Sequence, residues 1–129
     1  MKFVSPAAST IRILTVDDHP MFREGVAAVL AAQPDMSLVA QASNGREAIQ
    51  QFRQHRPDVT LMDLQMPDIN GLDAMVAIHK ESPGAKIIIL TTYASDLQGA
   101  MKLGAKAYLL KTQLDKELLP TIRAVQAGL

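Results

Sequence analysis

Short apolar runs alternate with helix-spaced apolar stripes along most of the chain. Five runs predict strands: IRILTV (Ile11–Val16), MSLVAQA (Met36–Ala42), VTLM (Val59–Met62), KIIIL (Lys86–Leu90) and AYLL (Ala107–Leu110). Three of them are nearly all apolar, the pattern of strands covered on both faces. Between the runs, Phe22, Val26, Val29 and Leu30 recur at helical spacing. So do Ala48, Ile49 and Phe52, then Leu72, Met75, Val76 and Ile78, and finally Leu118, Leu119, Ile122 and Val125. Asn44 with Glu47, and Asn70 with Asp73, each place a capping side chain three residues ahead of an acid. Pro34, Pro57 and Pro83 fall just past predicted helix ends. If the last helix starts at Asp115, Pro120 lies beyond the first turn that tolerates proline, which predicts a late start or a mild kink. Strands alternating with helices imply an α/β domain: a doubly wound five-stranded parallel sheet, right-handed crossovers and helices on both faces.

Composition narrows the class. At 129 residues, 48% hydrophobic and 20% charged, the chain suits one globular, soluble domain with a sizeable core. Thirteen basic residues balance thirteen acidic ones, so no net field attracts nucleic acid or an anionic membrane. The absence of cysteine excludes disulfides and zinc–thiolate sites and fits a cytoplasmic location. No apolar run is long enough to cross a bilayer, so no membrane partner is expected. Residues 1–10, MKFVSPAAST, lack the apolar middle of a signal peptide and read as a flexible leader, leaving 11–129 as the domain. The seven methionines sit mostly at core-like spacing and read as packing.

In a parallel sheet of this kind, function collects at the carboxyl ends of the strands. The first strand ends in Asp17-Asp18, the third in Asp63, the fourth in Thr91 and the fifth in Lys111. Three carboxylates, a hydroxyl and an ammonium can therefore meet on one rim. Clustered carboxylates repel one another unless a cation sits among them. A few hard oxygen ligands with an open outer face suit Mg²⁺. Taken singly, each residue has a plainer reading: a strand-end Asp caps a helix, a Thr builds a strand, a lone Lys is solvated. Taken together, all fall at the same end of consecutive strands. His19 lacks metal-ligand spacing and reads as a surface or capping residue; His55 and His79 read as solvated helix residues.

Three segments carry a family resemblance: VDDHPMFREGV, VTLMDLQMPDINGLDA and GAKAYLLK. From about Ile11 to Gly128 the chain resembles the receiver domain of bacterial two-component response regulators, of the NarL/FixJ type, with a flavodoxin-like, CheY-like fold. The resemblance implies that Asp63 is the phosphoacceptor. It implies that Asp18 binds Mg²⁺ directly, Asp17 mostly through water, and that the backbone carbonyl of Gln65 completes the protein ligands with Asp63. Lys111 would pair with the acceptor and then with the phosphoryl group. Thr91 would receive a phosphoryl oxygen, and Tyr108 would turn inward behind it as the aromatic switch. The implied partner is a sensor histidine kinase, with homodimerisation on phosphorylation. DNA would be reached only through a C-terminal helix-turn-helix output domain that is not within these residues. The protein would then be a regulator rather than an enzyme, at most assisting its own phosphorylation and dephosphorylation.

The rival from another class is a small Mg²⁺-dependent aspartyl-phosphate phosphohydrolase. It would need a second catalytic Asp two residues after the nucleophile, where this chain has Gln65. A never-phosphorylated scaffold would need a broken acid cup, and an FMN binder would want a Ser/Thr/Gly-rich loop where DDHP stands. Two departures from the family pattern remain. Thr112, not proline, follows Lys111, which makes a cis bond there improbable. The span from Thr91 to Lys111 is about two residues short. The loss predicts a fourth helix of about two turns or fewer, or a partly irregular segment, anchored by Met101 and Leu103.

Overall fold

The computed structural model describes residues 10–93 and 97–128, so most of the leader lies outside the described residues. The elements run β1 (Ile11–Val16), α1 (Pro20–Ala31), β2 (Met36–Ala42), α2 (Gly45–His55), β3 (Val59–Asp63), α3 (Gly71–Glu81), β4 (Lys86–Thr91), α4 (Leu97–Lys102), β5 (Ala107–Leu110) and α5 (Leu114–Gln126). A single 3₁₀ turn, Lys111–Gln113, joins β5 to α5. The strands form one parallel sheet in the order β2-β1-β3-β4-β5. This is the doubly wound sheet that the alternating pattern predicts.

Side-chain alternation along the strands builds two cores. Leu14, Val16, Met62, Ile87 and Ile89 face one way and pack with Ala48 and Phe52 of α2 and Ala74, Met75 and Ile78 of α3. Ile11, Ile13, Leu61, Ile88 and Leu90 face the other way and pack with Val26 and Leu30 of α1 and Leu118, Ile122 and Val125 of α5. Burial on both faces explains why β1, β3 and β4 are nearly all apolar. The predicted caps form: the Asn44 side chain accepts the Glu47 amide at 2.8 Å, and Asn70 accepts that of Asp73 at 2.9 Å. Each Asn satisfies an amide that the helix itself leaves without a partner.

Three expectations need correction. Val29 was expected in the buried stripe of α1 but is exposed, because the stripe that meets the sheet is narrower and centred on Val26 and Leu30. Most of the described methionines pack as the spacing predicts: Met36, Met62, Met66 and Met75 are core residues, while Met21 and Met101 are exposed. The last helix does not start late: it begins at Leu114, with Pro120 inside it. Its face of Leu118, Ile122 and Val125 is buried, and that packing outweighs the missing amide. His79 is part-buried rather than solvated, with its Nε2 3.1 Å from the Ala85 carbonyl oxygen.

The described part of α4, Leu97–Lys102, is six residues long, in line with the short helix expected there. Met101 and Leu103 are not its anchors; both are exposed, and Ala100 and Ala105 enter the core instead. The reason lies in how the helix ends. The Ala105 amide donates to the Ala100 carbonyl and the Gly104 amide to that of Met101, with Gly104 at φ 108°. This paired closure needs a left-handed residue, which glycine supplies without penalty. It turns the chain back onto the sheet on two small side chains and leaves the larger ones outside. The part of this connection at residues 94–96 lies outside the described residues. The Lys111–Thr112 bond is trans, as expected.

Candidate functional site: an acidic cup at the strand ends

The order β2-β1-β3 means that the chain leaves β1 to one side and returns to β3 on the other. The crevice therefore opens between the carboxyl ends of β1 and β3, where such sheets bind ligands. Val16 pairs with Met62, so the next residue on each strand, Asp17 and Asp63, stands at that mouth. Both are buried, each 3% exposed. Asp63 is paired with Leu90 and Thr91 with Leu110, so Thr91 and then Lys111 follow along the same rim.

Asp17 is held at several points. Its amide donates to the Ala42 carbonyl at 3.0 Å and its carbonyl accepts from Arg23 at 2.5 Å. Its Oδ1 accepts the His19 amide at 2.8 Å. Its Oδ2 lies 2.7 Å from the Lys111 ammonium. Asp63 Oδ1 accepts the Gln65 amide at 3.3 Å, and its Oδ2 lies 3.5 Å from Lys111 Nζ. Carboxylate oxygens of Asp17, Asp18 and Asp63 and a ring nitrogen of His19 all lie within 4.8 Å of one another. Asp17 Oδ2, Asp18 Oδ1 and Asp63 Oδ2 are buried and receive no hydrogen bond; their polar neighbours are the Lys111 ammonium or the His19 ring.

The electrostatics follow from this crowding. Burial pushes the Asp63 carboxyl above the ordinary aspartate range, and the charges of Asp17 and Asp18 push the same way. Lys111 and the Gln65 amide oppose the shift without cancelling it. Hard, close-set, partly unsatisfied oxygens are a donor set that fits a small divalent cation.

The backbone below the cup is close-packed. A Cβ on Gly71 would fall 2.1 Å from the Asp63 carbonyl oxygen and 2.8 Å from Leu64 Cα. Glycine at this position lets the start of α3 lie directly against the strand that carries Asp63, and the Gly71 amide donates to the Leu64 carbonyl at 3.0 Å.

The structure thus brings together Asp17, Asp18, Asp63 and Lys111. Thr91 is buried on the rim, but its Oγ1 accepts the Tyr93 amide at 3.2 Å rather than touching the acids. Tyr108 stands apart, 47% exposed, on the surface near Gln98, Met101 and Lys102. Lys111 sits closer to Asp17 than to the expected partner Asp63. Three participants escaped the sequence reading. His19, read as a surface or capping residue, places Nδ1 2.9 Å from Asp17 Oδ1 and 3.0 Å from Asp18 Oδ1. Arg23 clamps the Asp17 carbonyl. Phe22, read only as core, lies under the Lys111 ammonium at 4.3 Å from its ring centroid, within cation–π range. Position immediately after the acid pair was the one available signal for His19, and one turn into α1 the only signal for the other two.

An open parallel sheet with an acid cup at its switch point and a lysine closing it defines a receiver domain. The profile of the response regulator receiver domain matches residues 13–123, and the chain belongs to that family. The transcriptional regulatory protein LiaR of Bacillus subtilis is 42% identical over 120 residues, which cover 92% of this chain and 57% of LiaR. The response regulator protein VraR of Staphylococcus aureus is 36% identical over 121 residues, covering 92% and 58%. The chain thus spans less than two thirds of the length of these relatives. A solved LuxR-family two-component response regulator from Aurantimonas sp. SI85-9A1 superposes with a TM-score of 0.89 at 35% identity, over 93% of this chain and 87% of that one. These likenesses agree with the NarL/FixJ type. Among the described residues no helix is long and apolar enough to cross a membrane.

Proposed function

We propose that this domain is a phosphorylation-controlled switch in which Asp63 accepts a phosphoryl group from the histidine of a sensor kinase. The observation that carries the reading is the position of Asp63. It is a buried carboxylate at the end of a central strand, with one oxygen held by the Gln65 amide and the other facing Lys111. An Asp63 oxygen would attack phosphorus, forming an acyl phosphate as the P–N bond to the donor histidine breaks; the donor, carrying a proton on its other ring nitrogen, takes the bonding pair and leaves as a neutral imidazole. Positioning and charge neutralisation supply most of the rate in such transfers.

Asp17, Asp18 and Asp63, with the Gln65 carbonyl, would hold Mg²⁺. When bound, the ion neutralises charge on the transferring oxygens. Lys111 is the protein's own contribution to the same task. Its ammonium already lies between Asp17 and Asp63, and would follow the negative charge from the carboxylates to the phosphoryl oxygens. Thr91 would exchange its Tyr93 partner for a phosphoryl oxygen. That movement vacates space behind it, into which the outward Tyr108 turns, reshaping the face formed by α4, β5 and α5. In a longer protein this face would control dimerisation and a DNA-binding output domain, in line with the relatives described as transcriptional regulators. The domain itself acts as a regulator in the cytoplasm and has no substrate to turn over beyond its own phosphoryl group.

Intact-mass measurement after incubation with acetyl phosphate tests the proposal. One added phosphoryl group is expected, dependent on Mg²⁺ and absent in Asp63→Asn. Equal labelling of wild type and Asp63→Asn would overturn it.

A further inference from the structure

The acid cup contains a donor that magnesium chemistry does not call for. His19 Nδ1 lies 2.9 Å from Asp17 Oδ1 and 3.0 Å from Asp18 Oδ1. It belongs to the same cluster, within 4.8 Å, as the carboxylate of Asp63. In octahedral coordination with bonds of ~2.1 Å, neighbouring donors lie about 3.0 Å apart. The distances from the imidazole nitrogen to each of the two carboxylate oxygens are compatible with that spacing. The ring is also free to adjust. The His19 side chain is 64% exposed, and its backbone, extended at φ −102° and ψ 105°, precedes the first turn of α1. Nδ1 already faces the two carboxylates, so the ring can present that nitrogen to an ion among them without moving the backbone. The buried Asp63 Oδ2, which receives no hydrogen bond, gives a second, independent mark of a ligand position.

We propose that His19 is a fourth side-chain donor to the cup, and that it shifts the site's preference from Mg²⁺ towards divalent transition ions that favour imidazole, such as Ni²⁺. This rests on the reading of Asp17, Asp18 and Asp63 as a cation site. An all-oxygen cup already binds Ni²⁺ more tightly than Mg²⁺, so the property that belongs to His19 is the excess preference. The ion would exchange the present contacts of Nδ1 with the acids for shared coordination, with no change in the fold. The consequence is a receiver whose cup can be occupied by a transition ion when such ions are abundant, in competition with the ion that supports phosphoryl transfer.

Calorimetric titration of Mg²⁺ and of Ni²⁺ into wild type, His19→Ala and Asp18→Ala tests this, with histidine-side-chain NMR as a second readout. His55 and His79 remain in every variant and serve as internal controls. The expected result is a Ni²⁺-over-Mg²⁺ preference at least tenfold smaller in His19→Ala, and selective Ni²⁺ broadening of the His19 ring signals in wild type. An unchanged preference in His19→Ala, with binding of both ions lost in Asp18→Ala, would overturn the role of His19 and leave the cup standing. Unchanged Mg²⁺ binding in Asp18→Ala would overturn the cup itself, and the role of His19 with it.

Discussion

Replacing Asp63 by asparagine should make the metal-free domain more stable at neutral pH. The substitution keeps the shape of the side chain and removes one buried charge. Carboxylate pairs within 4.8 Å repel by roughly 3.5 kcal/mol each at an effective dielectric of ~20. Lys111, 3.5 Å from Asp63, attracts it by roughly 4.7 kcal/mol on the same scale. The Gln65 amide adds to the attraction, so the charged and polar neighbours nearly offset one another, and the gain comes chiefly from no longer burying a charge, on the order of 2 kcal/mol. The direction agrees with the raised pKa of this carboxyl. For a domain of this size, roughly 2 kcal/mol corresponds to about 5–10 °C in melting temperature.

The pH dependence gives an independent sign. A raised carboxyl pKa means that the folded state holds its proton longer than the unfolded chain does. Stability is then lost as pH rises from the ordinary aspartate range through the raised folded value. Asp63→Asn lacks this loss. The gap between variant and wild type should be widest at pH 7 and shrink as pH falls to the ordinary aspartate range. Urea titrations in EDTA at several pH values measure it. A variant no more stable than wild type at pH 7, or a gap that widens on acidification, would refute the electrostatic account of the cup.

Three further outcomes follow from the geometry. Mg²⁺ should raise the melting temperature of wild type by mass action, about 1.4 kcal/mol at ten times the dissociation constant, and Asp18→Ala should lose most of that gain in the same thermal scan. Gly71→Ala should destabilise the fold by roughly 3 kcal/mol in urea, because its Cβ meets rigid backbone at Asp63 and Leu64; a loss within 0.5 kcal/mol, on the order expected of a tolerated surface change, would show that α3 can shift away. Amide hydrogen exchange should be faster across residues 98–104 than in α3, since a six-residue helix resting on two alanines has little to hold it; equal protection would contradict this.

Most of the fold was legible because burial on both faces of the sheet forces long apolar runs, and three of the five strands match their predicted limits residue for residue. The caps at Asn44 and Asn70 were equally plain, since each depends on local hydrogen bonds alone. The site was legible as far as strand order determines it: an acid that ends a strand must stand on the rim. What depends on side-chain direction was not. His19 could face solvent or the acids, and only the path of the backbone into α1 settles that it touches both. Lys111 had two carboxylates within reach and rests against Asp17, at 2.7 Å rather than the 3.5 Å to Asp63. The register of α4 failed for a different reason. A shortened helix was foreseen, but which face it buries depends on the Gly104 closure, and hydrophobicity alone favoured Met101 and Leu103 over Ala100 and Ala105. Pro120 shows tertiary packing overriding a local penalty.

The most direct measurement of the central claim is chemical mapping of the phosphoryl group. Protein labelled with acetyl phosphate and Mg²⁺ is reduced with borohydride, which converts an acyl phosphate of aspartate into homoserine, and the digested peptides are sequenced by mass spectrometry. The account predicts that conversion at Asp63, with Asp17 and Asp18 intact. Conversion at another carboxylate, or a reduction-resistant phosphate on a hydroxyl or histidine side chain, would contradict it.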